Sequence, residues 1–133
     1  MDSSTIYDVL IVGSGPAGLS AATTICRQAH KILVLDSGKY RNAASQHMHA
    51  VTGWDHRSPD DFRKAAIKEY ERYGCVTIEP AEARSIEKLE NGLWKATDIN
   101  GKTHFAHKVV LATGVEDVYP DINGYSECWV SGM

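Results

Sequence analysis

The stretch Asp8–Gly18, DVLIVGSGPAG, constrains this chain more than any other. Asp8–Val12 is a compact apolar run, the composition of a strand buried on both faces. Glycines at 13, 15 and 18 interrupt it, and Ala17–Gln28 then reads as a helix with Leu19, Ala22, Ile25 and Cys26 on one apolar stripe. Lys31–Asp36, KILVLD, is a second apolar strand. Strand, glycine turn, helix and strand make one βαβ unit, the building block of doubly wound α/β sheets.

The segment Gly13-Ser14-Gly15-Pro16-Ala17-Gly18 fits the GxGxxG pattern, and each glycine has a distinct steric task. Gly13 permits a tight turn out of the strand. Gly15 lets backbone approach a pyrophosphate, where a side chain would collide. Gly18 lets the helix lie close to the sheet, and the helix start offers free N–H groups to phosphate oxygens. Asp36 follows Gly18 by 18 residues and ends the second strand, where a carboxylate can accept hydrogen bonds from ribose hydroxyls. Strand, turn, helix and acid together point to a dinucleotide site.

Downstream, Ser37–Pro59 is a long connection holding His47, His49, His56 and Trp54. Ser58-Pro59-Asp60-Asp61 is a helix start with a cap, a proline at the first position and acids at the positive end. That helix is expected to run to about Tyr73, with Phe62, Ala66, Ile67 and Tyr70 inward, Arg63 and its charged neighbours in solvent, and Gly74 as the stop. Cys75–Glu79 reads as a third short strand. Ala83–Leu89, Leu93–Asp98 and Thr103–His107 are separated by Asn91-Gly92 and Asn100-Gly101, which predicts an antiparallel meander with type I′ turns. Lys108–Ala112 returns to a buried-strand pattern before Thr113-Gly114, and Val115–Met133 shows no periodicity.

At 133 residues the chain is one domain, too short for two nucleotide-binding domains and an interface. Net charge is −3, which argues against nucleic acid or an anionic membrane as partner. No apolar run approaches the ~20 residues of a membrane helix, and no signal sequence is recognisable. Cys26, Cys75 and Cys128 form no CxxC, so a reducing, cytoplasmic setting is expected. Cys26 reads as core. His104 and His107 read as surface residues. The histidines at 47, 49 and 56 have ligand-like spacing, but no carboxylate or cysteine is placed by sequence to complete a set, so no metal is expected.

A plain NAD-binding Rossmann unit would continue with further alternating strands and helices, whereas here a meander intervenes. The segments YDVLIVGSGPAGLSAA (Tyr7–Ala22), ILVLDSGKYRN (Ile32–Asn42), HAVTGWD (His49–Asp55) and VVLATG (Val109–Gly114) resemble the FAD domain of thioredoxin-reductase-like flavoproteins, the class II pyridine nucleotide-disulfide oxidoreductases. DSGKYRN and TGWDHRSPDDF look closest to the branch containing fungal dithiol oxidases of the gliotoxin type. The resemblance implies a Rossmann-like α/β fold with FAD as cofactor. By position it places Gly13–Gly18 on the FAD pyrophosphate and Asp36 on the adenosine ribose, with Ser37 beside it among the cofactor-binding residues. Arg41 and Asn42 would lie along the cofactor, His49 near the flavin ring, backbone near Ala83 at the adenine, and Thr113 and Gly114 over the cofactor's other side.

The same resemblance implies segments that this sequence does not show: an NADPH-binding domain with the family's CxxC, and a C-terminal return that completes the FAD domain. The chain is therefore expected to be a truncated form of such a protein. One edge of Lys108–Ala112 would then need covering, by another copy in a homo-oligomer, by a partner chain or by the tail. The leading functional expectation is a FAD-linked oxidoreductase acting on a small-molecule substrate. Two rivals remain open at this point: a non-redox enzyme using the old cofactor pocket, and a non-catalytic binding module. Catalytic residues are not identifiable from the sequence.

Overall fold

The computed structural model describes residues 5–129. The chain runs β1 (Ile6–Val12), α1 (Pro16–Cys26), β2 (Ile32–Asp36), a single 3-10 turn at Arg41–Ala44, α2 (Pro59–Tyr70), β3 (Val76–Pro80), β4 (Ala83–Lys88), β5 (Trp94–Asp98), β6 (Thr103–Leu111) and the short α3 (Tyr125–Cys128). One six-stranded sheet has the order β3-β2-β1-β6-β5-β4. β3, β2, β1 and β6 are mutually parallel, whereas β6, β5 and β4 pair antiparallel.

The period of two along a strand explains why Val9–Val12 of β1 and Ile32–Leu35 of β2 are continuously apolar. Leu10, Val12, Leu33 and Leu35 cluster with Ala81, Ala96 and Ala106 under the meander. Their neighbours Ile11, Ile32 and Val34 cluster instead with Leu19, Ala22, Cys26 and Tyr70 of the two helices. Both faces of the parallel sheet are thus covered, and each of these fully buried aliphatic side chains contributes ~1.5–3 kcal/mol of transfer free energy. The Tyr70 hydroxyl donates to the Leu19 carbonyl at 2.7 Å and ties α2 to α1.

Local signals operate as the sequence leads one to expect at α2. Ser58 caps its start, accepting from the Asp60 N–H at 3.2 Å. Gly74, at φ +64°, ends it by donating to the Tyr70 carbonyl at 3.1 Å.

The meander differs from expectation in two respects. Its turns are not type I′, because Asn91 and Asn100 do not have positive φ and only Gly92 and Gly101 do, at +83° and +84°. Instead Gly92 N–H donates to Leu89 O and Leu89 N–H to Leu93 O, with the same pattern at Asp98, Gly101 and Lys102. These are type I turns closed by a glycine bulge, in which only the last loop residue needs the left-handed region. Secondly, Thr103–His107 and Lys108–Ala112 are not separate strands. β6 is continuous, pairing with β5 from Thr103 to Ala106 and with β1 from Phe105 to Leu111. Among the described strands, Lys108–Leu111 is therefore paired on the β1 side alone.

The β5–β6 turn folds back over the sheet. Lys102 forms an ion pair with Glu79 of β3, and Ile99 N–H donates to the Glu82 carbonyl at 3.0 Å. This closure buries His104, contrary to the surface position expected for it. Its Nε2 lies 3.4 Å from Asp98 Oδ2, and both side chains are almost wholly shielded. His107, in contrast, is exposed. No helix among the described residues is long and apolar enough to cross a membrane.

Candidate dinucleotide site

β1, β2 and β6 are parallel and end at Val12, Asp36 and Leu111, so their carboxyl ends share one edge of the sheet. The glycine loop leaves β1 there, between neighbours reached by connections in opposite directions. Such a switch point opens a crevice in doubly wound sheets.

The three glycines differ in what a side chain on each would meet. Gly13 has φ +101°, and a Cβ on it would meet the Ala112 carbonyl oxygen at 2.3 Å. A Cβ on Gly18 would fall 1.9 Å from the Gly13 carbonyl oxygen, so the helix packs against its own loop at a distance only glycine allows. A Cβ on Gly15 would meet nothing within 4 Å. Chain packing thus explains Gly13 and Gly18 but not Gly15, whose open approach is what a pyrophosphate requires. Pro16 and Ala17 open α1 and are exposed, so the helix start faces the same open space. The residues present fit a dinucleotide phosphate.

Asp36 stands at the end of β2, half-buried. Its Oδ1 accepts from Gly38 N–H at 2.9 Å and its Oδ2 from the Tyr40 hydroxyl at 2.6 Å. An ionised carboxylate has about four acceptor positions, so capacity for ribose hydroxyls remains. Ser14, buried within the glycine loop, lies with its Oγ 3.5 Å from the same Tyr40 hydroxyl. Burial and the Asp36 bond push the Tyr40 phenol above its usual value, so it stays protonated and donates.

Behind Tyr40 stands Arg63. The sequence places it on the solvated face of α2, but it is buried, with its guanidinium 4.0 Å from the Tyr40 ring centroid. Its Nη1 donates to Asn42 Oδ1 at 3.1 Å. One arginine therefore braces both the tyrosine that holds Asp36 and the candidate cofactor residue Asn42. Neither Tyr40 nor Arg63 was singled out by sequence. Tyr40 lies inside the quoted DSGKYRN segment, which was the available signal, whereas Arg63 carries no mark that separates it from its exposed neighbours.

The remaining candidates are placed as follows. Thr113 and Gly114 are exposed just beyond Ala112, whose carbonyl touches Gly13, so they border the glycine loop. Arg41 makes a two-point ion pair with Asp117, both contacts at 3.0 Å, which fastens the segment after β6 to the loop after β2. Ser37 Oγ accepts from Lys39 N–H at 3.3 Å and closes a local turn. Ala83 begins β4, opposite Asp98, shortly after the carboxyl end of β3. His49 lies on the exposed loop before α2, and its nearest polar partner is Asp55 at 3.2 Å. Asp55 is a carboxylate placed between two of the loop histidines, which corrects the expectation that none was available. A shallow hollow of about 310 Å³ between α1 and α2 is lined by Thr23, Trp54 and Phe62 among others, and stands apart from the glycine loop.

A parallel sheet flanked by helices and an antiparallel meander, with a glycine loop and an acid at its carboxyl edge, defines a Rossmann-like nucleotide-binding domain. The chain belongs to the pyridine nucleotide-disulphide oxidoreductase family, whose model matches residues 7–132. A thioredoxin reductase of Gibberella zeae is 45% identical over 98% of this chain. Thioredoxin reductase aclD of Aspergillus oryzae is 48% identical over 93% of it. The chain spans 41% and 40%, respectively, of the lengths of these two relatives. Among solved structures, an oxidoreductase from Agrobacterium tumefaciens superposes with a TM-score of 0.88 at 32% identity, covering 96% of this chain and 43% of that one. A thioredoxin reductase TrxB from Bacillus anthracis gives 0.83 at 28%, covering 88% and 39%. The resemblance to thioredoxin-reductase-like proteins and the Rossmann-like fold inferred from sequence both stand.

Proposed function

We propose that this chain forms the FAD-binding portion of an oxidoreductase. One observation carries the reading: Gly15 is the single member of the glycine motif whose lack of a side chain the protein's own packing does not use. FAD, when bound, supplies two-electron redox chemistry. The protein's part is to hold and orient it. Backbone around Gly15 and the start of α1 receive the pyrophosphate. Asp36, kept in place by Tyr40 and Gly38, receives the adenosine ribose. Asn42, braced by Arg63, and Thr113-Gly114 line the flanks. The curated relatives named above are thioredoxin reductases, which favours a thiol or disulfide among the small molecules the whole protein acts on.

The test is the absorption spectrum of the purified chain after incubation with FAD and removal of unbound cofactor. A retained flavin band, lost in Gly15→Ala, is the expected outcome. A colourless protein that takes up no FAD overturns the reading.

The open side of Lys108–Leu111 supports a second part of the proposal. Leu111 is 67% exposed, at the end of a strand segment whose outer side has no strand partner among the described residues. We infer that another copy or another chain covers this edge. Sedimentation should show a species larger than the 14.6 kDa monomer. A compact monomer across a wide concentration range would overturn the inference.

A further inference from the structure

The loop between the 3-10 turn and α2 brings together three side chains, His49, Asp55 and His56. His49 Nδ1 lies 3.2 Å from Asp55 Oδ1, and His56 Nε2 lies 3.3 Å from Asp55 Oδ2. Ligand atoms from the three residues lie within 4.8 Å of one another. At the ~2.0–2.2 Å bonds of zinc to nitrogen and oxygen, neighbouring corners of a tetrahedron stand ~3.3 Å apart. Each histidine–aspartate spacing is close to that edge, but to a different carboxylate oxygen, so an ion held through one oxygen needs one imidazole to swing toward it.

The backbone holds this arrangement at some cost. Ala50 and His56 sit at φ +63° and +59°, where residues with a Cβ are uncommon. The loop is closed at its base, with Met48 N–H donating to Arg57 O at 2.8 Å and His56 N–H to Met48 O at 2.9 Å. Asp55 is further fixed by Ala50 N–H at 3.2 Å. Its ion-pair partners among the described residues are the two histidines. The rings of His49 and His56 meet edge to face at 4.7 Å, so the two imidazoles are close to each other as well as to the carboxylate.

A second group with similar spacing, Glu79, Asp98 and His104, gives a useful contrast. There Lys102 already neutralises Glu79, and backbone N–H groups of Asn100 and Lys102 already occupy Asp98. That cluster is largely buried, and its carboxylates already have partners. The loop cluster is exposed on all three residues and open to an ion from solvent.

We propose that His49, Asp55 and His56 form a site for one borderline divalent metal ion of the zinc type, with the remaining coordination position open to water or an exogenous ligand. Two imidazoles and one carboxylate suit Zn²⁺, and three protein ligands with one open position is the pattern of zinc sites that exchange a ligand.

The test is titration of the full chain with Zn²⁺ in competition with a chromophoric chelator, repeated with Co²⁺ for its visible spectrum. One ion per chain is expected. His49→Ala and His56→Ala should each weaken binding about tenfold or more, since even outer partners of metal ligands cost that much. Asp55→Asn, which keeps the shape of the side chain, should weaken it as well. His47→Ala, on the same loop but outside the cluster, should leave it unchanged. Far-UV circular dichroism checks that each variant stays folded, independently of flavin uptake. Failure of the wild type to bind Zn²⁺, or equal binding by the folded His49→Ala/His56→Ala double variant, overturns the proposal.

Discussion

Gly18 lies so close beneath Gly13 that a Cβ on it would come within 1.9 Å of the Gly13 carbonyl oxygen. Two members of one motif are therefore locked by contact with each other, while a Cβ on Gly15 between them would meet nothing within 4 Å. Gly18→Ala should destabilise the fold by about 1–3 kcal/mol through overpacking, despite alanine's better helix propensity. Gly15→Ala should leave the urea midpoint nearly unchanged yet weaken FAD uptake about tenfold or more, the loss of roughly one charge-assisted hydrogen bond. Urea unfolding and flavin titration of the two variants separate the roles. Equal effects on both measurements would contradict the division.

Arg63 is the point where α2 supports the loop after β2. Arg63→Lys keeps the charge but loses both the planar stack on Tyr40 and the geometry toward Asn42. We expect a loss of about 1–2 kcal/mol in unfolding free energy and weaker flavin uptake together. Tyr40→Phe should weaken uptake with a smaller effect on stability, since the ring and its stack remain.

The buried Asp98 predicts a specific acid response. Burial opposes its charge, yet the N–H groups of Lys102 and Asn100 and the His104 ring hold its carboxyl below the ordinary 3.8. A carboxylate with a lowered folded pKa contributes stability that is complete above the unfolded value and lost as pH falls through the folded one. Stability should therefore decline below about pH 4. Asp98→Asn should be less stable at neutral pH and should show a flatter acid limb in urea midpoints measured from about pH 6 to about pH 3.

The three thiols should react in order of access. Cys128 is exposed, Cys75 half-buried and Cys26 buried, with burial foremost raising the Cys26 thiol above its usual value. A disulfide reagent at mildly alkaline pH should modify Cys128 first and Cys26 only on unfolding. Fast modification of Cys26 in the folded chain would show that it is not a packing residue.

Legibility in the sequence followed the range of the interaction. β1, α1, β2 and the start of α2 were readable because apolar period, glycine spacing and capping are signals within a few residues. The place of Asp36 at the end of β2 was readable for the same reason. Arg63 was not, because its burial depends on Tyr40, a partner 23 residues away that its own neighbourhood does not announce. His104 was misplaced because the β5–β6 turn folds over the sheet, a tertiary event that turns a strand-end histidine inward. The turn type was missed because Asn-Gly serves both I′ turns and glycine bulges. Asp55 escaped notice because its role depends on two left-handed residues that bend the loop back on itself.

The continuity of β6 also sets an order of assembly. β1 can meet β2 as soon as the first βαβ unit exists, but its other edge pairs Ile6 with Phe105 and Val12 with Leu111. Nearly the whole described chain must therefore leave the ribosome before the first strand made is flanked on both sides. Until then an apolar edge at the centre of the future sheet stays open, and contacts of such long sequence separation form slowly. A nascent chain of this kind is most prone to mispairing during that interval, which makes the last few residues of β6 the step that ends the risk.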